Sequence, residues 1–290
     1  RMMEAHEYIF VKRKIEQLTG IDLDCYKRAQ MERRLRTYLL RSGQASWPAF
    51  FRAMQDSPAE LGKLRDYLTI NVSYFFRDPE KFDYLREQVV PELLRGRTKL
   101  QVWSAGCSNG HEPYSLAILL AEGTSIYRQH RILATDIDRS ALELAEAGGP
   151  YTIEEVAPIP PEVRSRYFTF RDDRYWFTST MRRKITFQHH NLLVDAPPSP
   201  PSGEAGYDLI VCRNVVIYFT AEHKQNLYQR LYDALRPGGV LFVGGTEVIS
   251  RAADLGFEVM NMSFYRRNDG MAGPQTYSFA ARAGAGRRQR

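Results

Sequence analysis

Apolar residues recur at helical spacing through residues 1–70 and predict four amphipathic helices. The first ends at Gly20, the third begins at Trp47 with a proline in its first turn, and the fourth begins at Pro58. The second has an apolar stripe on one side and basic residues on another. We therefore expect residues 1–70 to form an all-helical N-terminal domain.

From residue 99 the pattern changes to short apolar runs separated by helical stretches, which predicts an α/β domain with a doubly wound, mainly parallel sheet. Its strands are predicted at 100–103, 132–136, 207–212 and 240–243, closed by an antiparallel pair at 257–260 and 264–265. The linking segment 71–98 contains an aromatic-rich stretch and a helix for which Asp78 is the expected N-cap.

Two further segments stand out from this alternation. Aromatic runs at 167–170 and 175–177, followed by an apolar run at 185–187, predict a small antiparallel β insertion at residues 165–188. From Gly270 the chain is rich in Gly, Ala and Arg, so residues 270–290 are expected to be a disordered tail. The α/β domain should thus span residues 99–269.

Composition limits the class of protein. The 290 residues are 43% hydrophobic and 26% charged, as in ordinary globular proteins. No apolar run approaches the roughly 20 residues of a membrane span, so we expect no direct membrane insertion. The three cysteines, Cys25, Cys107 and Cys212, include no C-x-x-C pair, which fits a reducing cytoplasm and argues against structural zinc.

Positive charge is concentrated in one place. The net charge is +6, and residues 26–41 alone carry six basic side chains against one acid, an excess of +5. Lys27, Arg34 and Arg41 recur every seven residues and should share one side of the second helix, here called the basic face. A charged face is usually only solvated, but this local excess makes a docking surface for an acidic partner an alternative.

The turn between the first strand and the next helix carries the candidate chemistry. Gly106 and Gly110 lie there without the G-x-G-x-x-G spacing and without a Walker lysine, so a phosphate cradle is not indicated. Asp136 ends the next strand, where a ribose would present its hydroxyls. This pattern favours a nucleoside without pyrophosphate, and so S-adenosylmethionine over NAD. A simple α/β packing turn remains an alternative at this point.

Five segments with recognisable motifs follow one another along the chain. They are NVSYFFRD at 71–78, WSAGCSNGHEPYS at 103–115, ATDID at 134–138, NLL at 191–193 and CRNVVIYF at 212–219. In this order they resemble the chemoreceptor glutamate O-methyltransferases, the CheR family, over about residues 5–268. The chain departs from the family at Ser73 and Asn109, where the family has threonine, and at His111, where it has glutamate.

The resemblance implies a Rossmann-like methyltransferase domain and a set of site residues. Cofactor-binding positions carried over are Asn71, Ser73, Arg77, Gly106, Glu112, Asp136, Asn191, Leu192, Asn214 and Val215. Asp136 would bind the ribose, Arg77 the methionine carboxylate, and Asn191 with Leu192 the adenine. The ring of Tyr218, or the Phe75–Phe76 pair, could face the sulfonium.

The implied reaction is methyl transfer to a glutamate carboxylate, with S-adenosylhomocysteine as the other product. Such a carboxylate, with a reference pKa of about 4.3, is already ionised at pH 7, so no general base is needed. Arg77 and Tyr218 are the candidate catalytic residues that orient it. The histidines are expected to be polar loop residues, and no metal site is predicted.

The family's receptors present their glutamates on long, acidic, helical coiled coils. The resemblance therefore makes Lys27, Arg34 and Arg41 the candidate substrate-docking residues, and cytoplasmic receptor helices the expected partner. The short, glycine-free turn at 171–174 does not favour capture of a receptor peptide by the β insertion. We expect a monomer.

Two alternatives remain open. A nucleic-acid methyltransferase would suit the basic pI of about 9.2, but 213–216 lacks the (Asp/Asn)-Pro-Pro-(Tyr/Phe) turn, and the loosely similar 195–198 lies before the strand. We therefore expect no nucleic-acid partner. A non-catalytic signalling scaffold that kept the fold is the second alternative, against which the presence of Asp136, Asn214 and Tyr218 argues.

Overall fold

The computed structural model describes residues 3–69, 73–124 and 129–269. The predicted tail at 270–290 and the candidate residue Asn71 lie outside these ranges. The first range folds into four packed helices, as predicted. They are α1 (Ala5–Thr19), α2 (Arg28–Arg41), α3 (Trp47–Gln55) and α4 (Pro58–Thr69).

The helix ends follow the local sequence signals. Gly20 takes a left-handed conformation (φ 75°) and donates its amide to Glu16 O at 2.9 Å, which ends α1. Ser46 caps α3 by accepting from Ala49 N at 3.4 Å. Inward-facing side chains then form one apolar core for the four helices; among them are Val11, Ile15, Leu35, Phe50 and Leu64.

A linking helix leads into a seven-stranded sheet. It comprises α5 (Pro79–Tyr84), a π-helical turn (Leu85–Val89) and α6 (Val90–Leu93). The sheet strands are β1 (Gln101–Ala105), β2 (Arg131–Asp136), β5 (Ile185–His189), β6 (Tyr207–Cys212), β7 (Leu235–Val243), β8 (Phe257–Asn261) and β9 (Phe264–Arg267). Their spatial order is β5-β2-β1-β6-β7-β9-β8. Only β9 runs against the others, because it pairs antiparallel with both β7 and β8, so β8 has the same direction as the parallel strands.

Apolar layers cover both faces of this sheet. Successive strand residues alternate between them, with Val102 and Leu209 in one core cluster and Trp103 and Ile210 in the other. The remaining helices are α7 (His111–Gly123), α8 (Arg139–Ala147), α9 (Ile153–Val156), α10 (Pro161–Tyr167), α11 (Ser179–Arg182) and α12 (Ala221–Ala234). Because β1 pairs with both β2 and β6, the strand order reverses there, and a ligand crevice is expected at the carboxyl ends of these strands.

The predicted β insertion is wrong in its third strand. A two-stranded hairpin, β3 (Phe168–Arg171) with β4 (Arg174–Phe177), is present. The apolar run beginning at Ile185 instead forms β5, which pairs in parallel with β2 at the edge of the main sheet. Ile132 N donates to Lys184 O at 3.1 Å, and the Ile185 side chain is buried in the core. A short alternating run does not specify its partner strand, and burial against the main sheet decided it here.

Candidate active site

A cleft opens at the carboxyl ends of β1, β2 and β6 and encloses about 1080 Å³, counting its solvent-open part. Three parts of the chain wall it: the loops after these strands, the segment 73–77, and residues of the N-terminal helices. Ten of the eleven predicted cofactor-binding or catalytic residues line it. They are Ser73, Arg77, Gly106, Glu112, Asp136, Asn191, Leu192, Asn214, Val215 and Tyr218. Their contact with a cofactor stays a prediction, as does that of Asn71.

Position 106 requires glycine for two reasons, its backbone conformation and the close approach of Val215. It has φ +84°, and a Cβ there would lie 2.5 Å from Val215 Cγ2. The amides of Gly106 and Cys107 both donate to Thr135 O, at 2.8 and 2.9 Å, so the loop is fixed to the end of β2. The glycine loop therefore presents its backbone to the cleft while Val215 packs behind it.

Asp136 joins this loop to the next one. Its Oδ2 accepts from Ser108 N at 2.7 Å, and its Oδ1 accepts from Asp138 N at 2.9 Å. Burial raises the pKa of Asp136 to about 6, although these amide donors act in the opposite direction. Asp138 caps α8 by accepting from Ser140 N and Ala141 N. Asp136 thus lies at the cleft with lone pairs left for hydroxyl donors.

Glu112 is the second acid at the cleft. Ser104 Oγ donates to its Oε1 at 2.7 Å, and Arg213 Nη1 lies 3.7 Å from its Oε2. Burial raises the pKa of Glu112 to about 7, while Arg213 and Ser104 oppose that rise. The carboxyl group is therefore half ionised near neutral pH and is suited to a cationic ligand group.

Arg213 is a buried residue in the wall of the cleft, and its guanidinium holds the segment that carries Arg77 and Asp78. Its Nη2 donates to Arg77 O and to Asp78 Oδ2, each at 2.6 Å. Its guanidinium carbon lies 4.7 Å from the ring centroid of Phe242. Asp78 lies at the N-cap of the linking helix with Pro79 after it, as predicted, but its side chain does not cap the helix, because Arg213 binds the carboxylate and the Asp78 backbone is left-handed (φ 61°). These contacts fix the backbone from which Arg77 reaches the cleft.

Glu247 fixes the loop that carries Asn214, Val215 and Tyr218. Its Oε2 accepts from Asn214 N at 2.6 Å and from Gly244 N at 2.9 Å, and its Oε1 accepts from Val216 N at 3.1 Å. Burial raises the pKa of Glu247, and the three amides oppose this. Asn214 adopts φ +60°, which this set of bonds holds in place.

The adjacent phenylalanines have separate roles. Phe75 is fully buried and packs against His111 and Tyr151, with ring centroids 4.8 and 5.0 Å away. Phe76 lines the cleft and makes an edge contact with Phe82. Of this pair, only Phe76 can face a ligand in the cleft.

The histidines do not form a metal site. His111 is not the predicted loop residue: it lies in α7, 1% exposed, with Nε2 2.9 Å from Glu155 Oε1. Its Phe75 and Tyr151 contacts make it part of the core. His190 is buried and its Nε2 lies 3.0 Å from Ala196 O. Among the described residues, no group of His, Cys, Asp or Glu could hold a metal ion.

The basic face lies beside the cleft but is not uniformly exposed. Lys27 and Arg41 are exposed, whereas Arg34 is half-buried and donates to Tyr67 O. The Arg34 guanidinium carbon is 4.6 Å from the Tyr67 ring centroid and 5.8 Å from that of Tyr218. Arg34 therefore already has partners inside the protein, which the seven-residue spacing alone could not show.

Several residues of the site region were missed from the sequence, among them Tyr26, Arg213 and Glu247. Tyr26 lines the cleft from the N-terminal helices, and no local pattern marks it. Arg213 lies within the motif at 212–219, so its neighbours could have drawn attention to it. Glu247 follows the carboxyl end of β7, where an acid could have been noted by the argument used for Asp136.

Together, the parallel sheet with its antiparallel closing pair, the glycine loop without a phosphate-binding lysine, and two acids at the cleft define a Rossmann-like S-adenosylmethionine-dependent methyltransferase. Comparison with known families agrees. The model described as "CheR methyltransferase, SAM binding domain" matches residues 71–266, and "CheR methyltransferase, all-alpha domain" matches residues 6–69. The chain belongs to the CheR methyltransferase family.

Curated relatives cover most of the chain. A chemotaxis protein methyltransferase of Listeria innocua is 40% identical over 89% of this chain and 96% of its own length. Chemotaxis protein methyltransferase 1 of Pseudomonas aeruginosa is 32% identical over 83% and 89%. Among solved structures, the magnesium protoporphyrin IX methyltransferase of Synechocystis covers 65% of this chain and 76% of its own at 16% identity, with a TM-score of 0.35, too slight a likeness to add to the argument.

Proposed function

We propose that this methyltransferase transfers the methyl group of S-adenosylmethionine to glutamate side chains of chemoreceptors, giving glutamate methyl esters and S-adenosylhomocysteine. The observation that carries the proposal is the cleft, where Glu112, Asp136 and Tyr218 meet beside the basic face. The relatives' names, chemotaxis protein methyltransferases, support the receptor as the substrate.

The residues at the cleft suit this cofactor. Glu112 would take the methionine ammonium, since its carboxyl group lines the cleft, is only 12% exposed and has Arg213 Nη1 no nearer than 3.7 Å. Asp136 would accept from the ribose hydroxyls, because its carboxylate lines the cleft at the end of β2 and two oxygens offer about four lone-pair positions. Asn191 and Leu192 are proposed at the adenine. Arg77 would pair with a carboxylate, either that of the methionine or that of the substrate.

The reaction needs alignment more than acid–base chemistry. Bound S-adenosylmethionine supplies a methyl group on a positively charged sulfur. A glutamate oxygen attacks the methyl carbon, the C–O bond forms as the C–S bond breaks, and the sulfur leaves as a neutral thioether. No proton moves, because the carboxylate is already ionised. Tyr218 is therefore proposed to orient the carboxylate, and the walls of the cleft hold the two reactants in line.

Receptor helices are proposed to dock along α2. Lys27 and Arg41 are 14 residues apart, so they span about 21 Å of helix at 1.5 Å per residue. Their seven-residue repeat matches the heptad spacing of coiled-coil helices, whose acidic side chains they would meet. Arg34 lies between them but touches Tyr218, so its part in docking would be indirect.

Docking can be tested by charge reversal. Arg41→Glu is expected to raise the receptor KM several-fold with little effect on kcat, because an attractive contact at the rim becomes repulsive. Arg52→Glu, an exposed arginine on α3, is the matched control. An unchanged KM in Arg41→Glu, or an equal rise in Arg52→Glu, would contradict the proposed docking surface.

The activity itself is tested with S-adenosylmethionine carrying a tritiated methyl group. A chemoreceptor cytoplasmic fragment and bulk RNA are offered as separate substrates. Label on the receptor that alkali releases as methanol is expected, because esters hydrolyse whereas N-methyl groups persist. Alkali-stable label on RNA would favour the nucleic-acid alternative. Cofactor binding without transfer to several receptor fragments would favour the scaffold.

Localisation and assembly follow from the same proposal. Receptor glutamates on cytoplasmic helices require an enzyme in the cytoplasm, and a monomer suffices for the cleft. None of the helices in the described ranges is long and apolar enough to cross a membrane. Size-exclusion chromatography with light scattering is expected to give the mass of one chain.

A further inference from the structure

The N-terminal helices and the Tyr218 loop are joined by a short backbone bridge. Lys27 N donates to Tyr218 O at 2.9 Å, and Thr220 N donates to Cys25 O at 2.9 Å. Tyr26 and Phe219, which lie between these bonds, form an isolated antiparallel β-bridge. Lys27 is also the N-cap of α2, the residue immediately before the first helical residue Arg28. The start of the basic helix is therefore bonded directly to the residue that carries the candidate catalytic phenol.

This bridge is well packed. The rings of Tyr26 and Phe219 meet edge to face, with centroids 5.1 Å apart, and Cys25 and Phe219 are only 5% and 4% exposed. Burial raises the pKa of Tyr26, with further increases from Cys25 and Asp136. Hydrogen bonds shielded from water in this way hold their geometry firmly.

On the other side, the same loop is held by the sheet. Glu247 binds the amides of Asn214 and Val216, and the chain from Val216 to Tyr218 forms a single 3-10 turn. The carbonyl oxygen of Tyr218, at the end of this turn, accepts a hydrogen bond from Lys27 N in the N-terminal domain. The direction of the Tyr218 side chain therefore depends on the N-terminal helices as well as on the sheet.

We infer that Cys25–Lys27 is a positioning segment for Tyr218, which couples the receptor-docking helix to the methyl-transfer site. The inference rests on the proposed function of Tyr218 and of α2. In this view the N-terminal helices do more than capture the receptor: the Lys27 amide sets the position of the turn that presents the phenol. Loss of that amide should lower kcat and leave the receptor KM unchanged.

The backbone at Lys27 permits a clean test. Its φ of −65° is that of proline, and Tyr26 (φ −113°, ψ 156°) has the extended conformation preferred before proline. Lys27→Pro removes the N–H and places a methylene group against Tyr218 O. The Lys27 carbonyl still accepts from Gln30 N and Met31 N, so α2 keeps its first turn. Lys27→Ala, which loses the same charge but keeps the N–H, is the reference variant.

A second pair of variants tests the other hydrogen bond of the bridge, from Thr220 N to Cys25 O. Thr220 has φ −65° and Phe219 before it is extended (φ −73°, ψ 152°), so Thr220→Pro is also compatible with the backbone. It removes the donor to Cys25 O. Thr220→Ala removes the same side-chain cap of α12 but keeps the donor. If Lys27→Pro is less stable than Lys27→Ala, its kcat cannot be interpreted, and the comparison of Thr220→Pro with Thr220→Ala then tests whether the bridge positions Tyr218.

The experiment compares steady-state methylation of a receptor fragment by each proline variant with its alanine reference. Each proline variant is expected to show a kcat about three- to tenfold lower, with receptor KM and S-adenosylmethionine Kd within twofold. Amide exchange at residues 216–219 should also be faster. Equal kcat values, or a change confined to KM, would overturn the inference. Absence of receptor methylation by the unaltered enzyme would instead refute the proposed function.

Discussion

Glu112 should make cofactor affinity depend on pH. Its pKa is raised to about 7, chiefly by burial, with Arg213, Ser104, Glu247 and Arg77 as the other groups acting on it. Only the ionised carboxylate attracts the methionine ammonium, whose own pKa is that of an α-amino group, about 7.7–8.0. The affinity should therefore follow the product of the two ionised fractions and be greatest near pH 7.4.

The expected magnitude follows from these two pKa values. At pH 7.4 about 70% of each group carries its charge, whereas at pH 6 only about 10% of Glu112 is ionised, so the affinity should be about fivefold weaker. At pH 9 most of the ammonium is lost, and the affinity should fall by roughly eightfold. Below pH 6 the decline should steepen, because Asp136, with a pKa of about 6, is then protonated as well.

Folding stability without cofactor should change in the opposite direction. A carboxyl group whose pKa is raised by folding binds its proton more tightly in the folded chain, so its contribution to stability is full below about pH 4.3 and is lost as pH rises through about 7. The free energy of unfolding of the wild type, relative to Glu112→Gln, should therefore decrease from pH 5 to pH 8. Urea unfolding of both proteins measures this difference.

Isothermal titration calorimetry from pH 6 to pH 9 measures the affinity. Buffers of different ionisation enthalpy should reveal proton release on binding at pH 6. Glu112→Gln should bind more weakly at pH 7.4 and lose most of the decline between pH 7.4 and pH 6. Glu258→Gln, on the edge strand β8, is the matched control. A wild-type Kd constant within twofold from pH 6 to 7.4, or an unchanged decline in Glu112→Gln, would refute the reasoning.

Gly106→Ala should weaken S-adenosylmethionine binding at least tenfold, because its Cβ would lie 2.5 Å from Val215 Cγ2; calorimetry measures this. Tyr218→Phe should lower kcat a few-fold at unchanged cofactor Kd, and a parallel loss of affinity would assign the residue to cofactor binding instead. Glu247→Gln should lower the free energy of unfolding by about 1–3 kcal/mol, because its NH₂ group would face one of three backbone amides. Urea unfolding tests it, and unchanged stability would count against this account.

The elements that local patterns specify were predictable from the sequence. Gly20, Asp138 and Thr220 each mark a helix end by side-chain or glycine chemistry that acts over three or four residues. The closing antiparallel pair and the order of strands and helices likewise follow from apolar runs. The position of Asp136 at the cleft follows from one general rule, that ligands lie at the carboxyl ends of parallel strands.

The predictions from sequence failed at residues whose interaction partner is remote in the chain. Asp78 looked like a helix cap, but Arg213, 135 residues away, takes its carboxylate. Arg34 looked exposed by helical spacing, but the end of α4 and the Tyr218 loop pack against it. His111 departs from the family's glutamate, and its partner Glu155 is 44 residues away. A local sequence pattern indicates which contacts a residue can make, whereas burial and partners remote in sequence determine which contacts it makes in the fold.

Asp136 and Glu247 show why the same sequence rule gives two roles. Both are acids that follow the carboxyl end of a parallel strand, and both are buried. Asp136 lines the cleft, with the backbone amides of Ser108, Ile137 and Asp138 around its carboxylate. Glu247 accepts from the amides of Asn214, Val216 and Gly244 and is not one of the residues that line the cleft. Because Asp136 reaches the cleft it can serve a ligand, whereas the bonds of Glu247 hold the loop that carries Asn214 in position. The strand-end rule applies to both acids although only Asp136 was predicted from it, and the position of each carboxylate relative to the cleft separates a binding residue from a positioning one.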